Sequence, residues 1–229
     1  MDKQTRESFP MRINKYLALK KISTRRGADE LVKEKKVFIN GKLAVLGSKV
    51  NETDKVEVKG AKTKEYVYFA YNKPIGIETS SPREDLFPLG RLDKASHGLL
   101  ILTNDGRITD QLLNPKYFHE KEYVVKTLNK LRSSFKKNME TGVKIEGEKD
   151  YVTKKCKVKI LNENTFRIIL TEGKKHQIRR MCSALFQEVA DLKRERIMNI
   201  KLGNLKPGAL REIKDEELTT FLDQVLHQS

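Results

Sequence analysis

The chain has 229 residues, of which 38% are hydrophobic and 34% are charged. This length accommodates one large domain, or a small and a medium one, and the apolar fraction is too high for a disordered chain. No apolar run reaches the roughly 20 residues of a membrane span, and the N-terminal residues MDKQTRESFPMR lack the apolar stretch of a signal peptide. We therefore expect a cytoplasmic protein that does not associate with membranes.

Positive charge dominates the composition. Lys and Arg number 47 against 31 Asp and Glu, which gives a net charge of +16. Residues 1–60 hold 15 basic and 8 acidic side chains, so the excess is densest in the first quarter of the chain. A surplus of this size either serves solubility or attracts a polyanion. We favour RNA or DNA as the partner.

The cysteine and histidine content argues against metal or disulfide chemistry. Cys156 and Cys182 are too few for a disulfide scaffold or a four-cysteine zinc site. We expect two reduced thiols, partly in the core. The four histidines lack metal-ligand spacing, so we expect no metal centre.

Two apolar stripes with i, i+3, i+4 spacing predict two short helices in the first segment. Their members are Ile13, Tyr16 and Leu17, then Ala28, Leu31 and Val32. Ser23 or Thr24 precedes the second stripe as the candidate N-cap. Downstream, residues 37–39 and 56–58 are strand-like, and Asn40-Gly41 favours a type I′ hairpin turn.

Arg25 and Arg26 are predicted to begin the second helix. Free backbone N–H groups and the positive end of the helix dipole favour an anion there. Two guanidinium groups would complete a phosphate-binding site. The alternative is a pair of solvated arginines at a helix end.

The second segment follows a polar, glycine-containing stretch at 59–64 that we interpret as a linker. Five short apolar runs predict strands, at residues 66–71, 99–102, 123–125, 158–160 and 166–170. Two further apolar stripes predict helices, one through Ile178, Met181, Cys182 and Leu185 and one through Leu218, Phe221, Leu222 and Val225. Several strands follow one another without helices between them, which indicates an α+β fold with a mostly antiparallel sheet.

Asp93 is the first candidate for chemistry. It lies in a polar, glycine-containing loop that leads into the predicted strand 99–102, and Arg91 and Lys94 flank it. Neighbouring cations keep a carboxylate ionised, as a nucleophile requires. The alternative is an ordinary turn aspartate that pairs with a local arginine.

A second basic cluster covers residues 172–181, where a glycine loop precedes the helix through Ile178. Arg179 and Arg180 lie off the apolar stripe of that helix. They either face a cleft or belong to a solvated basic surface.

Four motifs in this order resemble a known enzyme family. They are N-K-P-x-G at 72–76, G-R-L-D at 90–93, K-E-Y-V at 121–124 and G-x-x-H-Q-I-R-R-M at 173–181. Together they are similar to RNA pseudouridine synthases of the branch that contains RsuA, RluB, RluE and RluF. Residues 152–157 and 196–199 are similar to the RluF type. Residues 10–58, with Arg12, Lys15, Arg25 and Arg26, resemble the S-four-like RNA-binding module that this branch carries.

The resemblance implies a mechanism without a cofactor. Family members convert a uridine of structured RNA to pseudouridine, and their catalytic aspartate corresponds to Asp93. The family tyrosine, which packs on the target base and is placed to assist proton removal, corresponds to Tyr123. The basic partner of the aspartate corresponds to Arg179, with Arg180 as the second choice. Attack at C1′ and attack at C6 both stay open.

The resemblance also implies the domains and the partner. We expect an N-terminal extension at 1–9, the S-four-like module at 10–58, the linker at 59–64 and a catalytic domain at 65–229, with a mixed, mostly antiparallel sheet flanked by helices. The expected substrate is large-subunit ribosomal RNA, with a transfer RNA as a further candidate, and the expected state is a monomer. The alternative function is a non-catalytic RNA-binding or ribosome-assembly factor. Expected RNA contacts are Arg12, Lys15, Arg25, Arg26, Lys73, Arg91, His176, Gln177 and Arg180.

Overall fold

The computed structural model describes residues 9–20, 22–60, 65–146 and 151–226. The chain divides into two compact units, one formed by the residues up to Tyr66 together with 105–107 and one formed by the rest. Most of the expected extension at 1–9 and of the expected linker at 59–64 lies outside the described residues. The predicted domain limits 10–58 and 65–229 stay predictions.

The first unit contains two short helices and five short strands in its described part. They are β1 (Met11–Arg12), α1 (Ile13–Leu19), α2 (Arg25–Lys33), β2 (Val37–Ile39), β3 (Lys42–Leu43), β4 (Lys49–Val50) and β5 (Val56–Val58). β1 pairs with β4, and β2 lies between β3 and β5. Both predicted helices and both predicted strands are confirmed.

Local sequence signals explain this unit. Thr24 is the residue that caps α2, because its Oγ1 accepts a hydrogen bond from the backbone N–H of Gly27 at 3.0 Å. Asn40 and Gly41 adopt φ values of +52° and +76°, which the type I′ turn between β2 and β3 requires. The buried core joins the apolar faces of the helices to the strands through Ile13, Leu17, Ala28, Val32, Val37, Ala44 and Val50.

The second unit holds the remaining elements. In chain order these are β6 (Tyr68–Lys73), β7 (Phe87–Leu89), β8 (His97–Thr103), α3 (Thr109–Leu113), β9 (Lys121–Thr127), α4 (Phe135–Thr141), β10 (Lys144–Ile145), β11 (Tyr151–Val152), β12 (Lys157–Asn162), β13 (Thr165–Leu170), α5 (Gln177–Ala184), β14 (Val189–Ile197), β15 (Ile200–Lys201), β16 (Leu210–Glu212) and α6 (Asp215–Leu226). Single 3₁₀ turns lie at Gly106–Ile108, whose first two residues are grouped with the first unit, and at Pro115–Tyr117.

One large sheet organises the second unit. Its strand order is β12-β13-β9-β14-β8-β6-β16, with β7 beside β8 and β15 beside β14. Every pair is antiparallel except β14–β8, which is parallel. The predicted α+β class with a mixed, mostly antiparallel sheet is therefore confirmed.

Helices cover both faces of this sheet. α4 and α5 contribute Phe135, Met139, Ile178 and Met181 to the core on one face. On the other face, Phe221 of α6 packs edge-on against Tyr68, with ring centroids 6.4 Å apart. Within the described ranges, no helix has the length and apolarity needed to cross a membrane.

All five predicted strands of the second unit differ from the structure at their ends, and six strands in its described part were not predicted: β7, β10, β11, β14, β15 and β16. β6 begins two residues later than expected and runs to Lys73, and β8 extends beyond 99–102 at both ends. β14 was not predicted, because five of its nine residues are charged. Those charges are satisfied by other elements: Arg196 reaches Glu120 and Glu122 at 3.0 Å each, and Asp191 pairs with His97 at 2.9 Å.

Candidate active site

The loop between β7 and β8 holds Asp93 in a fixed position. The backbone N–H of Leu92 donates to Thr79 Oγ1 at 2.9 Å, and the same hydroxyl donates to the carbonyl of Leu92 at 2.7 Å. On the other side of Asp93, Lys73 Nζ donates to the carbonyl of Ser96 at 2.8 Å. Asp93 is thus anchored on both sides by side chains from outside the loop.

Two cationic or polar groups from the α5 region converge on the Asp93 carboxylate. Oδ2 of Asp93 lies 3.1 Å from His176 Nδ1 and 3.5 Å from Arg179 Nε. Oδ1 is buried and lacks a hydrogen-bond partner among the described residues. The side chain is 20% exposed, so the carboxylate sits at the edge of the protein rather than inside it.

Arg179 connects α5 to the Asp93 loop. Its Nη2 donates to the carbonyl of Ala95 at 3.0 Å and to Ser96 Oγ at 3.3 Å, and its Nη1 donates to the carbonyl of Val189 at 3.3 Å. These bonds orient the guanidinium toward Asp93. Arg179, and not Arg180, is therefore the arginine beside the carboxylate.

The balance of forces on Asp93 favours the ionised form. Burial acts to raise the pKa of Asp93, but the polar side chains of Ser96 and His176 and the positive charge of Arg179 outweigh it. The pKa consequently lies below its ordinary value. The expectation that Arg91 and Lys94 keep the carboxylate ionised is wrong: both are exposed, and the residues responsible come from the end of the loop and from α5.

A buried polar network supports the segment that carries His176. Glu172, which is 2% exposed, accepts a hydrogen bond from Gln177 Nε2 at 2.7 Å and one from the backbone N–H of Lys154 at 2.9 Å. The hydroxyl of Tyr151 also donates to Glu172, and this bond raises the pKa of Tyr151 to about 12. His176 itself has a left-handed backbone with φ +51°, which turns the chain into α5.

Two successive strand pairings connect Tyr123 to the strand that follows Asp93. Tyr123 on β9 pairs with Arg194 on β14, and Arg194 pairs with Gly98 on β8, five residues after Asp93. Adjacent strands are about 4.8 Å apart, so Tyr123 and Gly98 are separated by about 10 Å. Arg194 is 2% exposed, with Cζ 5.9 Å from the centre of the Tyr123 ring, and its Nε donates to the carbonyl of Leu99 at 2.7 Å.

Tyr123 therefore lies in an electropositive part of the core. The tyrosine is 9% exposed and has Arg194 beside its ring. Lys121 lies two residues earlier on β9, and burial together with the charge of Arg194 lowers the pKa of Lys121 to about 8. Tyr123 is not among the groups that contact the Asp93 carboxylate directly.

The expected RNA contacts divide into exposed and buried side chains. Arg12, Arg25 and Arg26 in the first unit and Arg91 and His176 in the second are exposed, whereas Lys15 and Arg180 are partly exposed. Their role in RNA binding stays a prediction.

The structure does not place Lys73 and Gln177 where the expected RNA contacts would require them. Lys73 is fully buried and Gln177 is 4% exposed. Lys73 donates to the carbonyls of Pro74 and Ser96, and Gln177 bonds to Glu172 and to the backbone N–H of Lys174. Both side chains hold loops of the site instead of facing the solvent that RNA would occupy.

Several residues of the site were not predicted from the sequence: Thr79, Ser96, Tyr151, Glu172 and Arg194. Arg194 had a usable signal, because it falls two residues after Leu192 on the buried side of a strand that alternates. The others carry no local pattern, since each contacts a residue distant in sequence. Among the described residues, no group of three or more His, Cys, Asp or Glu side chains is arranged to hold a metal ion.

Comparisons with known proteins point to a single family. Residues 67–184 match the family model for RNA pseudouridylate synthases, and residues 11–56 match the S4 domain. The chain is 39% identical over 237 residues to the dual-specificity RNA pseudouridine synthase RluF of Escherichia coli strain K12, covering 96% of this chain and 81% of that protein. The chain belongs to the RNA pseudouridine synthase family. Members of this family are enzymes that isomerise uridine in RNA.

Two further relatives support the same assignment. The ribosomal large subunit pseudouridine synthase B of Bacillus subtilis is 35% identical over 232 residues, covering 90% of this chain and 93% of that protein. A crystal structure of a pseudouridylate synthase superposes with a TM-score of 0.68 and 26% identity, covering 94% of this chain and all of the other. The four motifs suggested a resemblance to the pseudouridine synthase family and to its RluF type, and both are thus confirmed.

Proposed function

We propose that this pseudouridine synthase modifies a specific uridine of large-subunit ribosomal RNA, with Asp93 as the nucleophile. The observation that carries the proposal is the Asp93 carboxylate itself. It is held ionised beside Arg179, 3.5 Å away, in a chain whose family isomerises uridine. A nucleophile needs an ionised carboxylate at such a position, whereas a passive RNA-binding surface in a strongly basic protein does not.

One carboxylate suffices for this reaction. The bond between C1′ and N1 of the uridine breaks, the free ring turns, and C5 forms a bond to C1′. C5 then loses its proton and N1 carries one, so the product is an isomer of the uridine. No water is consumed, so the pair of carboxylates that glycoside hydrolases use is not required. Asp93 attacks the nucleotide and is released when the new bond forms, which regenerates the ionised carboxylate. Ser96, His176 and Arg179 keep it charged between turnovers.

Tyr123 is proposed to support the target base and to assist removal of the C5 proton. The base must leave the helical stack, at a cost of a few kcal/mol. Stacking on an aromatic ring returns roughly 1–3 kcal/mol. Arg194 lies beside the ring, with its Cζ 5.9 Å from the ring centre, and helps to hold the tyrosine in place. The proposed basic contacts then hold the flanking phosphates.

The substrate assignment comes from the relatives. One is named as a synthase of the large ribosomal subunit, and the RluF proteins are named as dual-specificity enzymes. We therefore propose large-subunit ribosomal RNA as the main substrate and transfer RNA as the second to test. The monomeric state and the cytoplasmic location stay predictions.

Tritium release tests the proposal. The full chain is incubated with bacterial large-subunit ribosomal RNA transcribed with C5-tritiated uridine, and in parallel with a tritiated transfer RNA transcript. We expect one tritium released per ribosomal RNA molecule and a single mapped pseudouridine. Release of many tritium atoms per molecule would contradict site specificity, and release from neither RNA would refute the proposed substrates.

A further inference from the structure

A cavity of about 280 Å³ lies outside the Asp93 site, in the second unit. Its walls come from the segment before β9, from the turn between β14 and β15, and from α6: Phe118, His119, Glu120, Arg196, Met198, Asn199 and Gln224. Pockets for drug-sized ligands begin at about 300 Å³. This cavity therefore suits a single planar ring.

An exposed aromatic ring borders the cavity. Phe118 is 59% exposed, and its backbone is left-handed with φ +55°, an uncommon conformation for a bulky residue. Lys154 Nζ lies 3.9 Å from the centre of this ring and donates to the carbonyl of Pro115 at 3.0 Å. The cation therefore covers one face of the ring, so a ligand that stacks on Phe118 would use the other face.

Unpartnered polar atoms line the wall. His119 is 3% exposed; one of its ring nitrogens faces the backbone of Gln111, and the other lacks a hydrogen-bond partner within the described ranges. The same holds for Oδ1 of Asn199, whose Nδ2 donates to the carbonyl of Glu217 at 2.8 Å. Buried polar atoms without partners are uncommon, because each costs about 1–3 kcal/mol. They point to a ligand that supplies hydrogen bonds.

We propose that this cavity binds an unpaired nucleobase of the substrate RNA, stacked on Phe118 and hydrogen-bonded by His119 and Asn199. The proposal rests on the proposed function, because the pseudouridine synthase reaction is what brings RNA to this surface. It adds a second base-binding site to the one proposed at Asp93. The residues of the cavity bind this base and take no part in the isomerisation.

Charge and chemistry favour an RNA base over other occupants. Lys116 and Lys154 lie close to the aromatic segment, where they would meet flanking phosphates. The one carboxylate in the cavity wall, Glu120, is neutralised by Arg196 at 3.0 Å and lies 3.8 Å from Lys157. An aromatic ring with adjacent cations is the arrangement on which single-stranded nucleic acids stack.

The base must be unpaired. Asn199 Oδ1 is an acceptor, and it needs a donor from the hydrogen-bonding edge of the base. In a duplex that edge is occupied by the partner strand. Single-stranded RNA should therefore bind here, and duplex RNA of the same length should not.

A tryptophan reporter tests this directly, because the chain contains no tryptophan. The Phe118→Trp protein is titrated with a 12-nucleotide single-stranded oligoadenylate, with a duplex of equal length and with adenosine monophosphate. We expect the single strand to quench the fluorescence at lower concentrations than the duplex. Equal quenching by duplex and single strand would overturn the proposal, and tighter binding of the mononucleotide would identify a free nucleotide as the occupant instead.

Phe186 provides the matched control. It is 76% exposed, has a left-handed φ of +59° and has Arg132 Cζ 5.2 Å from its ring centre, but it follows the far end of α5 and does not line the cavity. Oligoadenylate should leave the fluorescence of Phe186→Trp unchanged. Quenching of both reporters to the same extent would refute a specific site at Phe118.

Two truncations separate stacking from simple apolar contact. Phe118→Ala and Phe118→Leu should both weaken oligoadenylate binding by about fivefold or more, because both remove the aromatic face. Phe186→Ala should have no effect. If Phe118→Leu binds as wild type does, the ring is an apolar surface and the proposal fails. Because these variants carry no tryptophan, their binding is measured by the fluorescence anisotropy of a fluorescein-labelled oligoadenylate. This binding is measured without turnover, so the outcomes are independent of whether wild type releases tritium from ribosomal RNA.

Discussion

Gly98 lies on β8, the strand that follows the Asp93 loop, and pairs with Arg194 on the parallel strand β14. Replacing Gly98 with alanine tests this junction between the two strands. Gly98 has φ +102°. A Cβ at this position would lie 2.4 Å from the carbonyl oxygen of Arg194 and 2.8 Å from its nitrogen. Both atoms belong to backbone, so no side-chain rotation relieves the overlap. The parallel pair of β8 and β14 must separate locally.

The cost follows from two terms. Overpacking in a well-packed core costs about 1–3 kcal/mol. A left-handed backbone adds roughly 1–2 kcal/mol for a residue with a Cβ. We therefore expect Gly98→Ala to lose about 2–5 kcal/mol of the free energy of unfolding, a large share of the roughly 5–15 kcal/mol typical of whole proteins. At about 2–4 °C per kcal/mol for a chain of this size, Tm should fall by about 4–20 °C.

Thermal unfolding followed by circular dichroism measures this shift, with Gly173→Ala as the control. Gly173 belongs to the loop before α5, has no positive φ, and a Cβ there would meet no atom within 4 Å. Its Tm should stay within about 1 °C of wild type. The account of the β8–β14 junction is refuted if Gly98→Ala unfolds at the wild-type temperature.

Three further predictions follow from the site and the first unit. The pKa of Asp93 should lie below its ordinary value of 3.8 in a ¹³C NMR titration assigned with Asp93→Asn. Its contribution to stability should be present above the unfolded pKa and should be lost as the pH falls through the lower folded pKa. A titration midpoint above 3.8 would contradict this. Replacing both Arg25 and Arg26 with glutamine should reduce the slope of log affinity against log salt by about 1.5 for RNA binding, since each phosphate contact contributes about 0.7–0.9, and an unchanged slope would remove them from the interface. Burial raises the pKa of both Cys156 and Cys182 to about 12, so iodoacetamide at pH 8 should leave the native protein unmodified and label two thiols after unfolding.

Elements whose signals are local could be predicted from the sequence. The two helices and the hairpin of the first unit depend on apolar spacing, on the Thr24 cap and on the Asn40-Gly41 turn, all of which act over a few residues. β14 was missed because its charged residues resemble a solvated segment. Their partners, such as Glu120, Glu122 and His97, lie 74 or more residues away in the chain.

The active site shows the same limit. Asp93 could be singled out because its loop precedes a buried strand. Its sequence neighbours Arg91 and Lys94 were, however, expected to be the cations that keep it ionised. The groups that contact the carboxylate, His176 and Arg179, come from a segment more than 80 residues later. Only the motif resemblance connected the two segments, because resemblance carries three-dimensional information that local spacing lacks. The burial of Lys73 could not be predicted from the sequence either, because the fold determines which carbonyl groups it contacts.

Replacement of the Asp93 carboxylate is the most direct test of the proposed chemistry. Asp93→Asn keeps the shape of the side chain and removes its charge, so RNA binding should persist while tritium release from C5-tritiated ribosomal RNA falls below detection. Binding is measured in parallel by filter retention of the same RNA. If Asp93→Asn releases tritium at the wild-type rate, this aspartate is not the nucleophile and the proposed mechanism is wrong.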